Sequence, residues 1–287
     1  MIPDVTPSVA RDQLCAALIE IRAELGMTQN DVAAALEWSW SKINRIEAGV
    51  VGLSITDLKA LLALYSVADA DRELHLLGLA RAARGASWWS DFKGVVSPAA
   101  GKQLDYERQA RAIKCFHPSL VPGLLQTKAY AEELVAGQGE GADDPRKVEL
   151  RIRRQGVLTL AEPPEVVILV GEAALYNRMC SPATMAEQLQ VLAHNAVDGP
   201  ARLGVIPFGR SVYPAMLSPF TLTELLEGET VVFNETPHSA RAAKNDHELT
   251  NRYSAYFSSL HGQHAVFGAQ AAALIDRALK GLDDDGR

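Results

Sequence analysis

The sequence predicts an α+β protein in two parts. A five-helix, all-α domain is expected over residues 1–85, a mixed α+β domain with a small, mainly antiparallel sheet over 86–282, and an acidic tail at 283–287. Three observations lead there. Apolar residues recur at helical spacing through the first eighty-odd positions, β-branched runs of strand length appear only after Pro164, and the texture breaks between Gly85 and Gly101 around Trp88-Trp89.

The first helix follows from Leu14, Leu18, Ile21 and Leu25, at steps of four, three and four, and Gly26 closes it. Thr28 offers a hydroxyl cap to a second helix with Val32 and Leu36 on its buried stripe. Ser39 caps a third, striped by Ile43 and Ile46 and closed by Gly49. Ser54 to Tyr65 repeats the pattern through Leu58, Leu61 and Leu62, and Asp69 to Arg84 adds a fifth helix through Leu74, Leu77 and Ala80. Beyond the junction, Tyr106, Ala110 and Ile113 predict an amphipathic helix from Lys102 to Cys115. Turns at His117-Pro118 and Pro122-Gly123 lead to a helix over Thr127 to Val135, a polar loop over Gly137 to Pro145, and a basic helix from Arg146 to Leu160. Val166 to Val170 and Leu203 to Pro207 read as strands around a helix from Pro182 to Val197. Phe220 to Leu225 and Thr230 to Asn234 form a hairpin about Gly228, and two helices, Asp246 to His261 and Gly268 to Leu282, close the chain before a frayed end.

Composition narrows the function. The chain has 287 residues, 48% of them hydrophobic and 22% charged, with a formal net charge of −7. This is globular composition, and it excludes a basic nucleic-acid coat, so DNA contact must come from a local patch. Cys15, Cys115 and Cys180 stand far apart, which gives neither a disulfide framework nor a zinc pair. Asp4 and Asp12 argue against a secretory signal, and no run approaches the roughly 18 apolar residues of a membrane span. A cytoplasmic protein that does not engage a membrane is expected. No phosphate loop or GxSxG elbow occurs. Cys115 with His117 reads as a packed turn more readily than as a nucleophile and base, and His261 with His264 lacks a carboxylate to complete a metal set. No enzyme, cofactor or metal is expected.

Two short helices joined by a tight turn make a helix-turn-helix, whose second helix fits a major groove about 12 Å wide. With Ile43 and Ile46 inward, Trp40, Ser41, Lys42, Asn44 and Arg45 lie outward; Asn pairs with adenine, Lys and Arg reach guanine or phosphate, and Ser serves either. Thr28, Gln29 and Ser39 at the helix starts complete the DNA-contact set, with Gln29 placed to touch phosphate and brace its neighbours. Leu25-Gly26-Met27-Thr28-Gln29-Asn30-Asp31-Val32-Ala33, followed by Ser39, Ile43, Arg45-Ile46-Glu47 and Gly49, resembles the λ-repressor-like, xenobiotic-response-element family. That resemblance implies an ion pair between Arg22 and Glu47 that ties the first helix to the reading helix. Two positions depart from the pattern. Glu37 stands where the family turns on Gly, and Trp40 replaces a small or polar residue, facing either a thymine methyl or sugar or another chain. Residues 1–85 carry eight bases against eleven acids, which predicts modest affinity per subunit and a homodimer on two half-sites. The bland reading of the same residues is a protein-binding bundle with solvated charges.

From Trp88 onward the chain is similar to the second domain of actinobacterial, WhiJ-like regulators described as antitoxin-like. The matching strings are Trp88-Trp89, Leu104-Asp105-Tyr106-Glu107, Val121-Pro122-Gly123-Leu124-Leu125-Gln126-Thr127 with Tyr130-Ala131, Arg151 to Gln155, Glu172-Ala173-Ala174-Leu175, Gln188-Leu189, Val205-Ile206-Pro207-Phe208 and Ser218-Pro219-Phe220. Near Asn234 to His238 the usual strand ending is altered. The resemblance implies a transcription regulator, encoded beside a small acidic partner protein, with no established catalytic residues. The basic run Arg146, Lys147, Arg151, Arg153 and Arg154 reads either as a dock for an acidic partner or flanking phosphate, or as a solvated face paired with nearby acids. Val121 to Thr127 is a structural turn or a contact surface, and the tryptophan pair a core anchor or an interface. The expected function is a sequence-specific regulator whose second domain senses a small partner protein or a small-molecule effector. The rivals are an antitoxin-like module that masks a small partner, with DNA secondary, and an enzyme domain fused to a DNA-binding head.

Overall fold

The computed structural model describes residues 5–137, 145–210, 218–226, 228–236, 239–243 and 246–284. The chain divides into two compact units, Met1–Ser90 and Asp91–Arg287.

The first unit holds α1 (Pro7–Glu24), α2 (Gln29–Ala35), α3 (Trp40–Glu47), α4 (Ile55–Leu64) and α5 (Ala70–Ala82). Thr28, Ser39, Ser54 and Asp69 each accept a backbone amide at the start of their helix, which satisfies donors that no earlier turn can reach. Gly26 and Gly49 adopt φ of 66° and 65° where α1 and α3 end. The core joins Leu14, Leu18 and Ile21 to Val32, Ile43, Ile46, Leu58, Leu61 and Leu76. Leu25 and Leu74, placed on buried stripes by their spacing, are instead exposed. Leu25 is the C-cap of α1, where the chain turns away from the helix face, and in α5 the inward positions are Leu76, Leu77, Leu79 and Ala80.

The second unit runs α6 (Pro98–Glu107), β1 (Ala110–His117), α7 (Lys128–Ala136), α8 (Pro145–Arg154), β2 (Glu165–Gly171), α9 (Ala173–Tyr176), α10 (Pro182–Val197) and β3 (Arg202–Ile206). It continues with β4 (Phe220–Leu225), β5 (Thr230–Thr236), β6 (Ser239–Ala243), α11 (His247–Ser259) and α12 (Ala269–Asp284). The strands make one six-stranded sheet in the order β3-β2-β1-β4-β5-β6. β1–β2 and β2–β3 pair in parallel, while β1–β4, β4–β5 and β5–β6 are antiparallel. On one face Ile113, Cys115, Ile168, Val170 and Leu203 pack under Leu189 and Leu192 of α10 and Ile275 of α12. On the other, Phe116, Val167, Leu169, Phe220 and Leu222 pack against Phe257 of α11 and Leu260. The sheet is therefore enclosed on both sides around β1, the layered solution for a strand with no solvated face.

The expected helix from Lys102 to Cys115 is in fact two elements. α6 ends at Glu107 and the central strand begins at Ala110, with Cys115 opposite Ile168 on one side and Thr221 on the other. A strand buried on both faces has a near-continuous apolar run, which periodicity alone does not separate from a buried helix. β6, Ser239–Ala243, likewise lies outside the strands that the sequence predicts. The basic helix stops at Arg154 and passes into a 3-10 turn over Gln155–Thr159. Val121 to Thr127 is a structural turn. Val121, Leu124 and Leu125 are buried, Gln155 donates to the carbonyls of Gly123 and Gln126, and Gln188 donates to that of Leu125. α12 reaches Asp284. Most of the polar loop after Gly137, the end of the altered stretch at Pro237-His238, and the last three residues of the tail lie outside the described residues.

Candidate nucleic-acid interface

α2 starts on a reciprocal cap. The Thr28 amide donates to Asp31 Oδ2 at 2.8 Å, and the Asp31 amide donates to Thr28 Oγ1 at 3.2 Å. The Thr28 hydroxyl and amide hold the Asp31 carboxyl below the usual carboxylate range. α2 then ends where the Trp38 amide donates to the Ala33 carbonyl at 2.8 Å, and Glu37 takes a left-handed φ of 53°. The expected departure at Glu37 is thus a side chain held in backbone space that favours glycine. Ser39 Oγ accepts from the Lys42 amide at 3.2 Å and starts α3. Thr28 and Ser39 are therefore fixed first as helix caps.

The outer face of α3 is set by its two buried isoleucines, Ile43 and Ile46. Opposite them Trp40 is 53% exposed, Ser41 and Arg45 are exposed, and Asn44 is half-buried. Behind this face Arg22 of α1 grips Glu47 with two hydrogen bonds, Nε to Oε1 at 2.6 Å and Nη2 to Oε2 at 2.9 Å, and Nη1 donates to the Met27 carbonyl at 2.8 Å. The bond to Glu47 raises the Arg22 pKa further, against the opposing effect of burial. Gln29 Nε2 donates to Glu47 Oε2 at 2.8 Å, and Gln29 Oε1 accepts from Asn44 Nδ2 at 3.5 Å. One carboxylate thus couples α1, the first residue of α2 and the last of α3. It fixes the angle at which α3 is presented.

The two cations expected to face a groove differ sharply. No salt bridge or hydrogen bond engages the Arg45 side chain among the described residues, and it projects outward. Lys42 does not. Its Nζ lies 2.8 Å from Asp57 Oδ1 of α4 and 3.4 Å from the centroid of the Trp38 ring. Lys42 first, then Ser54, keeps the Asp57 carboxyl below its ordinary range despite partial burial. The Lys42 charge is therefore already paired within the domain, by side chains that stay 37% and 30% exposed. Sequence reading passed over both partners. Trp38 carried a signal, four residues before Lys42, whereas Asp57 is fifteen residues away across a turn.

The basic run in the second unit does not form one outward patch. Arg154 turns inward to Glu107, with Nε to Oε2 at 2.8 Å and Nη2 to Oε1 at 2.6 Å; Glu107 is 1% exposed and also accepts from Gln103 at 3.0 Å. Its charge is answered by a buried carboxylate. Arg153 lies 4.0 Å from Glu149 and 5.4 Å from the centroid of the Phe92 ring. Arg146, Lys147 and Arg151 each interact within the chain. Cys115 and His117 lie on the central strand rather than in a turn. Burial pushes the Cys115 thiol up to about 11, and burial followed by the Arg154 charge pushes His117 down to about 4, so thiol and imidazole are both neutral at pH 7.

Residues 101–277, more than half the chain, match the family described as a domain of unknown function (DUF5753). The chain belongs to that family. The DUF5753 match spans β1 to β6 and the helices around them, and residues 13–76 match a helix-turn-helix domain, a fold that suggests a DNA-binding regulator, from within α1 through α4 and into α5. No curated protein and no solved structure matches the chain. Among the described residues, no helix is long and apolar enough to cross a membrane.

Proposed function

We propose that this DUF5753 protein is a sequence-specific, cytoplasmic transcription regulator of the λ-repressor-like, WhiJ-like kind. α3 lies in the major groove, Arg45, Asn44, Ser41 and Trp40 meet base edges, and Gln29 with the amide-rich starts of α2 and α3 faces phosphate. The observation that carries this reading is the outer face of α3. Arg45 is unengaged and exposed there, on a helix whose orientation is locked by the Arg22–Glu47–Gln29 network. A rigid scaffold holding an unpaired arginine outward is the arrangement that groove recognition needs, because the bidentate fork must arrive aligned.

The second domain dimerises the reading heads and receives the input, with no catalytic step. Exposed Arg146 and Arg153 on α8 favour a small acidic protein as that input over a metabolite. Arg45→Ala is expected to weaken binding to the upstream region of the protein's own gene by about ten- to a hundredfold, the worth of one bidentate base contact of about 1–3 kcal/mol. Gel retardation at fixed salt measures it. Unchanged retardation by both Arg45→Ala and Asn44→Ala would place another surface on the DNA.

A further inference from the structure

Resting on the reading of α3 as the groove helix, the structure assigns Asp57 a role in DNA binding: we infer that it is an affinity-limiting residue that withholds the Lys42 ammonium from the phosphate backbone. Lys42 sits in the first turn of α3, the end of the helix nearest the exposed Trp40, where a lysine would ordinarily neutralise a phosphate. Instead its Nζ is clasped between Asp57 Oδ1 at 2.8 Å and the face of Trp38 at 3.4 Å. The backbone that carries the carboxylate is fixed, since Asp57 lies in the first turn of α4 with its amide donating to Ser54 Oγ at 3.0 Å.

Two physical consequences make this clasp hold against DNA. A phosphate that drew Lys42 away would have to replace both the carboxylate and the aromatic face. It would also leave a bare Asp57 carboxylate within a lysine's reach of the approaching backbone, where like charges repel. The domain thus carries Lys42 without adding a phosphate contact, in keeping with its eight bases against eleven acids over residues 1–85. Phosphate contacts are blind to sequence. Withholding one lowers the hold on promoter and random DNA by the same factor and shifts the work of retention to the base contacts and to pairing of two heads.

The full chain, Asp57→Asn, Asp57→Ser and the double variant Asp57→Asn/Lys42→Gln are titrated with salt on two duplexes, the upstream region of the protein's own gene and a random-sequence duplex of about 30 base pairs. Freeing Lys42 is expected to steepen the dependence of log affinity on log salt by about 0.9 on both duplexes for either single variant, and to tighten binding roughly five- to tenfold at 0.1 M salt. In the double variant the slope returns to that of the unaltered protein. An unchanged slope in both single variants overturns the inference, and so does a gain that survives in the double variant, since Asp57 would then act through its own charge alone. Failure of the unaltered protein to bind either duplex at low salt overturns the functional reading itself, which separates the two failures.

Discussion

Arg22 and Glu47 show how much a single partly buried charge pair governs. Removing the guanidinium strands the carboxylate between α1 and α3, and Gln29 keeps an acceptor whose charge is no longer answered. Arg22→Met is expected to lower unfolding free energy by up to about 3 kcal/mol, because the cost is that of a largely enclosed, uncompensated charge rather than of a lost contact. Urea unfolding followed by circular dichroism measures it, and a loss under about 1 kcal/mol would mean that water reaches Glu47. His117 gives a pH signature. Its imidazole titrates near 4 in the folded chain and near the ordinary 6.5 when unfolded, so between those values only the unfolded chain takes up the proton. The stability owed to neutral His117 is complete above about pH 6.5 and is lost as the pH falls toward 4, on the order of 2–3 kcal/mol. His117→Gln should flatten that part of the stability profile; an identical slope in the variant would mean that other groups govern acid sensitivity.

At the scale of elements, local chemistry decides where helices start and long-range pairing decides which segments become strands. The five N-terminal helices were legible because their caps and isoleucine and leucine stripes lie within a few residues of each other. Ser39, Ile43 and Ile46 suffice to define α3. β1 was not legible. Tyr106, Ala110 and Ile113 fit a helical step, no Gly or Pro marks the break after Glu107, and the partners that make Ala110–His117 a strand lie at 165–170 and 220–225. The hairpin of β4 and β5 announced itself through Gly228, whereas β6, Ser-Ala-Arg-Ala-Ala, has helix-favouring composition and is a strand only because β5 pairs with it. Two substitutions test these elements. Glu37→Gly relieves the left-handed turn between α2 and α3 and is expected to stabilise the domain by about 1 kcal/mol, seen as a raised unfolding midpoint. Gly171→Ala at the end of β2 would bring a methyl group to 2.2 Å from the Pro118 carbonyl oxygen, and is expected to destabilise by about 1–3 kcal/mol or more as the β1–β2 junction shifts.

Over the whole molecule, the two units have separate cores, one built from α1 to α5 and the other on the two faces of the sheet. Calorimetry is expected to resolve two transitions, since a single cooperative step is a property of single domains. Arg154→Leu strands the buried Glu107 and should lower one of them while leaving the other, which belongs to the helix-turn-helix, in place. A uniform shift of both would mean that the units melt together. Of the candidate site, the outward residues of α3 could be read from spacing alone, but the commitment of Lys42 to Asp57 and of Arg154 to Glu107 could not. Each joins residues from different helices, and sequence carries the charges without their pairing.

The position of β1 has a consequence during synthesis. Its parallel partner β2 starts at Glu165 and its antiparallel partner β4 at Phe220, so a nascent chain leaving the ribosome completes its helix-turn-helix long before the strand at Ala110–His117 can close on either side. Any chain stalled before Phe220 carries a finished N-terminal head tethered to an apolar strand with an open edge, and that half-made sheet is what chaperones must shield from its neighbours.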